Sequence, residues 1–198
     1  MEAGKDHGEQ KMSMRDPLEW EEVSCEHIVK DEWIDIRRSA YRFPDGTVFE
    51  PYYSYSRRDY VVIVAEDENG DFLCVRQYRQ GIRKVTNEFP AGGIEPGAKD
   101  DDAINAAKRE LLEETGYESS DWRHLLTIAS NATIADNHAY LYYAANCRKV
   151  GEQNLDDTEF LNVSTHSADE IEDLIANGEF EQSMHVLAWL LSRRCTGK

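Results

Sequence analysis

One stretch of the sequence decides the fold of this chain: Phe89-Pro-Ala-Gly-Gly-Ile-Glu-Pro-Gly-Ala-Lys-Asp-Asp-Asp-Ala-Ile-Asn-Ala-Ala-Lys-Arg-Glu-Leu-Leu-Glu-Glu-Thr-Gly-Tyr117. A glycine-rich loop leads into a helix predicted from about Asp101 to Thr115. The helix carries Glu110, Glu113 and Glu114 at spacings that place all three carboxylates on one face. Like charges at such spacings destabilise an isolated helix. We therefore expect a cation between them, and oxygen ligands without nearby Cys or His favour Mg²⁺ or Mn²⁺.

This stretch resembles the Nudix box, whose pattern reads Gly-x5-Glu-x7-Arg-Glu-aliphatic-x-Glu-Glu-x-Gly-aliphatic. The C-terminal half, Arg109–Gly116, matches at every fixed position, and Tyr117 occupies the final apolar position. In the N-terminal half, Ala98 follows Gly97 where the family usually has Glu. The stretch from Ala98 to Arg109 is also about three residues longer than the pattern. The resemblance thus implies a reshaped loop at Ala98–Asp102 beside an intact set of box glutamates.

Length and composition indicate one main domain with an N-terminal extension. The chain has 198 residues, of which 40% are apolar, enough for an ordinary core. We interpret residues 1–17 as a polar mobile leader, residues 18–57 as an N-terminal antiparallel β extension and residues 58–198 as the Nudix domain. The pattern and the resemblance together predict an α/β (α+β) fold, a Nudix-type α/β/α sandwich with a mixed central sheet.

Turn signals and apolar periodicity predict the individual elements. Turns are expected at Pro44–Gly46 and Asn69–Gly70. The predicted strands are 33–43, 47–55, 60–66, 72–78, 122–129, 139–147 and 161–165. Ser167 is expected to cap a helix, and a last helix is predicted at 182–194. This last helix carries Met184, Leu187, Ala188 and Leu191 at helical spacing, a stripe expected to pack in the core, with a partner surface as the alternative.

Charge and cysteine usage exclude several classes of partner. The formal charge of −17 argues against nucleic acid, because a phosphate backbone requires a basic binding surface. No stretch approaches the roughly 18 apolar residues of a membrane-spanning helix, and no signal peptide is evident. The four cysteines are far apart in the sequence and are expected to be reduced thiols of a cytoplasmic protein.

The segment before the box narrows the expected substrate. Residues 75–93 contain Arg76-Gln-Tyr-Arg79 and Glu88-Phe-Pro-Ala-Gly-Gly93, and they resemble the matching stretch of ADP-ribose and related nucleoside-diphosphate-sugar pyrophosphatases. The resemblance implies metal-dependent hydrolysis of a diphosphate bond, with water as the nucleophile and a nucleoside monophosphate and a sugar phosphate as products. The expected partner is therefore a small nucleoside diphosphate derivative.

The box is expected to supply the metal ligands. Glu110 and Glu114 are the first candidates and Glu113 is the third. In the resembling family a loop carbonyl next to the glycines also contacts metal, and Ala91 occupies that position. Arg109 is expected to orient Glu113, four residues further along the helix.

A catalytic base or further ligand is expected from the acidic segment 156–159. Glu159 is the first candidate and Asp157 the next, because the resembling enzymes place such a loop before a strand like the one predicted at 161–165. The alternative is a solvated acidic turn.

Three residues before the box are candidates for substrate contact. Arg79 can hold a phosphate through two hydrogen bonds, and Glu88 can accept a hydrogen bond from a ribose or from a metal-bound water. Arg76 is expected to bind either the substrate or a surface carboxylate.

The N-terminal extension resembles a region that relatives exchange across a homodimer, where aromatic rings hold the base. Trp33 is at the matching place, with Phe49 or Tyr52 expected to face it, because aromatic rings bind a base by stacking. Core packing or dimer burial is the alternative role for these rings.

Alternative functions remain open from the sequence. Within the enzyme class they are hydrolysis of nucleoside triphosphates or of GDP-mannose. The segment 130–138 departs from the pattern of the ADP-ribose enzymes, so the terminal sugar is not decided. Outside that class, the alternative is a non-catalytic Nudix module that senses a ligand.

Overall fold

The computed structural model describes residues 16–95, 100–156 and 159–197, without the side chains of residues 100–102. Most of the predicted leader at 1–17, part of the predicted loop at Ala98–Asp102, and Asp157 lie outside the described residues. The chain divides into two compact units, the first ending at Tyr55 and the second beginning at Ser56.

From residue 16 onward, the first unit forms a three-stranded sheet with an aromatic cluster. Its strands are β1 (Glu21–Lys30), β2 (Asp35–Arg42) and β3 (Val48–Ser56), in that spatial order, with β1 and β2 antiparallel. The chain turns at Pro44–Gly46, as predicted. Trp20, Tyr41 and Tyr52 pack with ring centroids 5.6 to 6.0 Å apart. The predicted antiparallel β extension is confirmed. Strand β1 was not predicted as a separate element, because the alternation of apolar and polar residues gave it no clear ends.

The described residues of the second unit form a mixed sheet and three helices. Its elements are β4 (Tyr60–Asp67), β5 (Phe72–Arg79), β6 (Lys84–Glu88), β7 (Ala91–Gly93), α1 (Asp100–Thr115), β8 (Tyr117–Glu118), β9 (Asp121–Ala129), β10 (His138–Lys149), β11 (Leu161–His166), α2 (Ala168–Ala176) and α3 (Ser183–Thr196). The strand order is β11-β5-β4-β10-β8, with β6 on β5, β7 on β4 and β9 on β10. Strands β4 and β10 are parallel, whereas β5 and β11 are antiparallel, which confirms the mixed sheet.

Strand β4 lies between two hydrophobic layers because its successive side chains point to opposite faces of the sheet. Val61 and Ile63 pack with Leu111 of α1. Val62 belongs to a second cluster that includes Trp189 of α3. Helices therefore cover both faces of the sheet, and the predicted α/β/α sandwich is confirmed.

Three short strands, β6, β7 and β8, were not predicted from the sequence. The reason is clearest for β6, where Thr86 and Asn87 are polar but buried. Both side chains donate to the backbone carbonyl of Glu179, more than 90 residues away. A local pattern of polar residues indicates a loop, whereas this long-range bonding makes them part of the interior.

The stripe predicted on the last helix packs with the core, as expected, but it is not the centre of the buried face. The buried residues of α3 are His185, Ala188, Trp189 and Ser192. Of the predicted stripe, Ala188 is buried, whereas Met184, Leu187 and Leu191 are partly buried and pack at the edge of the same cluster. The buried face is therefore centred on Trp189, whose ring lies 4.8 Å from that of Phe72.

Trp189→Ala is expected to lower the free energy of unfolding by about 3–5 kcal/mol, because removing a buried ring leaves a cavity beside Phe72 and Phe89. Leu190→Ala is the matched control. That side chain is 60% exposed, so its removal should change stability by less than about 0.5 kcal/mol. Urea unfolding of both variants and the wild type measures the difference, and equal losses would contradict the assigned buried face.

Candidate active site

The loop and helix of the box bring two buried carboxylates against the short strand β7. The backbone N–H of Ala91 donates to Oε2 of Glu114 at 3.0 Å. The carboxylate of Glu110 lies so close to Gly92 that a Cβ there would be 2.0 to 2.3 Å from its atoms. Gly92 is therefore required because it leaves space for the carboxylate, and not only because glycine is flexible.

Three carboxylates converge at this point. Single oxygen atoms of Glu110, Glu114 and Glu159 all lie within 4.8 Å of one another. Burial raises the pKa of Glu110 and raises the pKa of Glu114 well above its usual range, and the neighbouring carboxylates add to both shifts. Buried like charges are unfavourable unless they are protonated or share a cation. The oxygen-only donor set fits a hard divalent cation.

Arg109 connects the box glutamates from one side. Its guanidinium donates to Glu113 at 2.6 Å, to Glu110 at 2.7 Å and to the carbonyl of Gly93 at 3.2 Å. The geometry matches the expectation that Arg109 orients Glu113, and it adds a contact with Glu110. Glu113 is outside the group of three converging carboxylates. Its role as a third metal ligand stays a prediction.

Arg79 and Glu88 form a two-bond ion pair. Nε and Nη2 of Arg79 donate to the two carboxylate oxygens of Glu88 at 2.8 and 2.5 Å. Glu88 is fully buried and also accepts a longer bond from Gln182. Both oxygens of Glu88 bind Arg79, and the predicted contact of Glu88 with a ribose or a metal-bound water stays a prediction. The guanidinium of Arg79 is held in a fixed orientation as a result.

A cavity of about 610 Å³ opens beside the carboxylates. Its lining includes Arg76, Arg79, Ala91, Glu114 and Glu159. The structure thus brings together predicted residues from β5, β7, α1 and the segment before β11. Acidic groups for a cation and basic groups for phosphate share one cavity, an arrangement that suits a polyanionic substrate bound with metal.

The aromatic candidates belong to the first unit. Trp33 lies in the turn between β1 and β2, and its side chain is 65% exposed. Tyr52 packs against Trp20 and Tyr41 in the cluster described above. The role of both rings in base binding stays a prediction.

His185 supports the loop that precedes the box, and sequence reasoning did not identify it. Its Nδ1 accepts a hydrogen bond from the backbone N–H of Phe89 at 3.1 Å, and its Nε2 lies 3.9 Å from Glu88. Burial, with a smaller contribution from Arg79, lowers the pKa of His185 to about 3, so the ring is neutral. No sequence signal marks it, because a single His on a helix is most often an ordinary core residue.

Comparison with known proteins identifies the family. Residues 56–190 match the family model for the NUDIX domain, about two thirds of the chain. The chain belongs to the Nudix family. Nudix hydrolases generally require a divalent metal, which agrees with the converging carboxylates.

Among the described residues, none of the helices has the length and apolar character that a membrane span requires.

Curated relatives support a more specific class. The chain is 33% identical over 129 residues to a methanol dehydrogenase activator of Bacillus methanolicus, covering 65% of this chain and 68% of that protein. It is 31% identical over 135 residues to an ADP-ribose pyrophosphatase of Mycobacterium tuberculosis, which covers 67% of this chain and 63% of that protein. It is 26% identical over 153 residues to an ADP-ribose pyrophosphatase of Bacillus subtilis, which covers 74% of this chain and 77% of that protein. The predicted resemblance to Nudix hydrolases of the ADP-ribose pyrophosphatase type is confirmed.

A solved structure supports the fold. The crystal structure of an ADP compounds hydrolase superposes with a TM-score of 0.80 over 93% of this chain and 97% of that one. Their sequences are 20% identical, so the likeness establishes the shared Nudix architecture alone.

Gly92→Ala is expected to lower turnover at least about 100-fold, because the new methyl group displaces the Glu110 carboxylate from the group of three. Stability should change by less than about 1 kcal/mol, since only the end of a flexible side chain must move. Gly93→Ala is the matched control, because its Cβ would meet only Cδ of Arg58 at 3.9 Å. Turnover and urea unfolding are measured for both variants and the wild type. Wild-type turnover in Gly92→Ala would contradict the role of the close contact between Gly92 and Glu110.

Proposed function

We propose that this Nudix protein hydrolyses the diphosphate bond of ADP-ribose or a related nucleoside diphosphate sugar, giving a nucleoside monophosphate and a sugar phosphate. The observation that carries the proposal is the convergence of Glu110, Glu114 and Glu159 at a cavity that Glu114 and Glu159 line together with Arg76 and Arg79. The two ADP-ribose pyrophosphatases among the relatives support the substrate class.

The carboxylates would hold Mg²⁺ as the cofactor, with Mn²⁺ as the alternative, because both prefer oxygen ligands. Glu110, Glu114 and Glu159 are the proposed ligands, with Glu113 and the Ala91 carbonyl as further ones. When bound, the metal would neutralise diphosphate charge and lower the pKa of a bound water.

The remaining steps follow from side chains of this chain. Arg79, oriented by Glu88, would bind a phosphate through its remaining N–H donors, and Arg76 would contribute a second positive charge. Glu159 would accept the proton of the attacking water. The water oxygen would bond to phosphorus as the bridging P–O bond breaks, and the leaving phosphate would depart with the bridging oxygen.

Arg109 would act on the ligands rather than on the substrate. Its bonds to Glu110 and Glu113 hold two box carboxylates in place and offset part of their mutual repulsion. The catalytic set would therefore consist of Arg109, Glu110, Glu113, Glu114 and Glu159.

We also propose that residues 18–57 serve in homodimer formation and base binding, with residues 58–198 as the hydrolase domain. The exposed ring of Trp33 and the aromatic cluster around Tyr52 support this division of roles. The four free thiols of the described residues suit a reducing compartment, and we propose a cytoplasmic location.

The function is tested by incubating the protein and Mg²⁺ with ADP-ribose, ADP-glucose, GDP-mannose, NADH and dNTPs. For the diphosphate compounds the readout is phosphate released from the products by a phosphatase, and for the dNTPs it is released pyrophosphate. ADP-ribose or another diphosphate sugar should be turned over fastest. Glu110→Gln should lower that turnover at least about 100-fold, because it removes a ligand charge. Glu172→Gln, an exposed glutamate on α2, is the matched control and should leave it unchanged.

Fastest turnover of a dNTP would contradict the proposed substrate class. If no compound is turned over, and the Glu110→Gln variant binds these compounds as tightly as the wild type does, the protein would instead be a non-catalytic sensor.

A further inference from the structure

The C-terminal end of α1 is capped by a distant segment of the chain. The last carbonyls of a helix have no partners within the helix itself. Here the backbone N–H of Asn154 donates to the carbonyl of Glu113 at 2.9 Å, and the side-chain amide of Gln153 donates to the carbonyl of Glu114 at 2.7 Å. Residues 150–156, the capping segment, therefore supply donors that the helix end needs.

The capping segment lies directly on the helix end. The backbone N–H groups of Val150 and Gly151 donate to the carbonyl of Gly116 at 2.9 and 3.1 Å. A Cβ on Gly116 would be 2.2 Å from the carbonyl oxygen of Gly151. Gly116 also has a φ of +74°, a conformation that favours glycine. The contact leaves no space for a side chain between helix and segment.

The far end of the same segment is bonded to Glu159. The carbonyl of Asp156 accepts from the backbone N–H of Glu159 at 2.9 Å, and the N–H of Asp156 donates to Oε2 of Glu159 at 3.2 Å. Glu114 thus contacts this part of the chain twice. Its backbone carbonyl binds Gln153, and its carboxylate lies beside that of Glu159.

We propose that Gln153 is a positioning residue, which fixes the capping segment on α1 and thereby holds Glu159 beside Glu110 and Glu114. The role rests on the proposed function. The other contacts named above between segment and helix come from backbone N–H groups. Gln153 is therefore the contact that a side-chain substitution can remove, and it lies outside the box and outside the cavity lining.

Gln153→Ala is the test, measured first as Mn²⁺ affinity by isothermal titration calorimetry in the absence of substrate. The dissociation constant should rise about five- to tenfold, since loss of one hydrogen bond allows the segment to leave the helix end. The kcat for ADP-ribose should fall by a similar factor of about five to ten while KM changes less than about twofold. Gln153→Asn, which keeps an uncharged amide donor on a side chain one methylene shorter, should recover part of both losses.

Two comparisons separate positioning from general structural damage. Glu152→Ala removes the neighbouring exposed side chain, which pairs with Lys149, and should leave metal affinity and kcat unchanged. In a Glu159→Gln background, Gln153→Ala should cause little further loss of Mn²⁺ affinity, because the residue acts through Glu159.

Wild-type Mn²⁺ affinity in Gln153→Ala would overturn the proposal. So would an equal loss in Glu152→Ala, or a full additional loss in the Glu159→Gln background. If the wild type binds Mn²⁺ but turns over no diphosphate sugar, the proposed function fails, and the affinity comparison still decides the role of Gln153.

Discussion

The structure depends on one unfavourable interaction, the mutual repulsion of three carboxylates at a largely buried point. Glu110 and Glu114 are almost completely buried and lie beside Glu159. Their arrangement is tolerated because surrounding groups offset it in part: an N–H of Ala91 on Glu114, and the guanidinium of Arg109 on Glu110. A divalent cation would neutralise the remaining negative charge, which is why we propose that these residues bind metal.

The sandwich keeps these groups in place by fixing both sides of the cavity. On one side, α1 packs through Leu111 on β4, which orients the glutamate-bearing face toward β7. On the other, β5 and β6 carry the Arg79–Glu88 pair, and His185 of α3 holds the N–H of Phe89 just before the loop. Two helices on opposite faces of the sheet therefore stabilise the same site. The positions of its side chains depend on packing throughout the second unit.

The sequence could predict what is encoded by local spacing. Helical periodicity was sufficient to place Glu110, Glu113 and Glu114 on one face of the helix. The choice of Glu159 came from the resemblance to the Nudix family, whose members place an acidic loop before the matching strand. The sequence could not predict that both carboxylate oxygens of Glu88 bind Arg79, or that His185 accepts a hydrogen bond from Phe89, because these contacts depend on the folded arrangement of separate elements. Strand β6 was missed for the same physical reason, since its buried polar residues satisfy their hydrogen bonds through Glu179.

The central claim is that Glu110, Glu114 and Glu159 together bind the divalent cation used in diphosphate hydrolysis. Its most direct test is anomalous X-ray scattering from crystals of the wild-type protein grown with Mn²⁺. We expect an anomalous peak in contact with carboxylate oxygens of all three residues. Ordered glutamate side chains with no peak between them, or a peak held elsewhere in the chain, would contradict it.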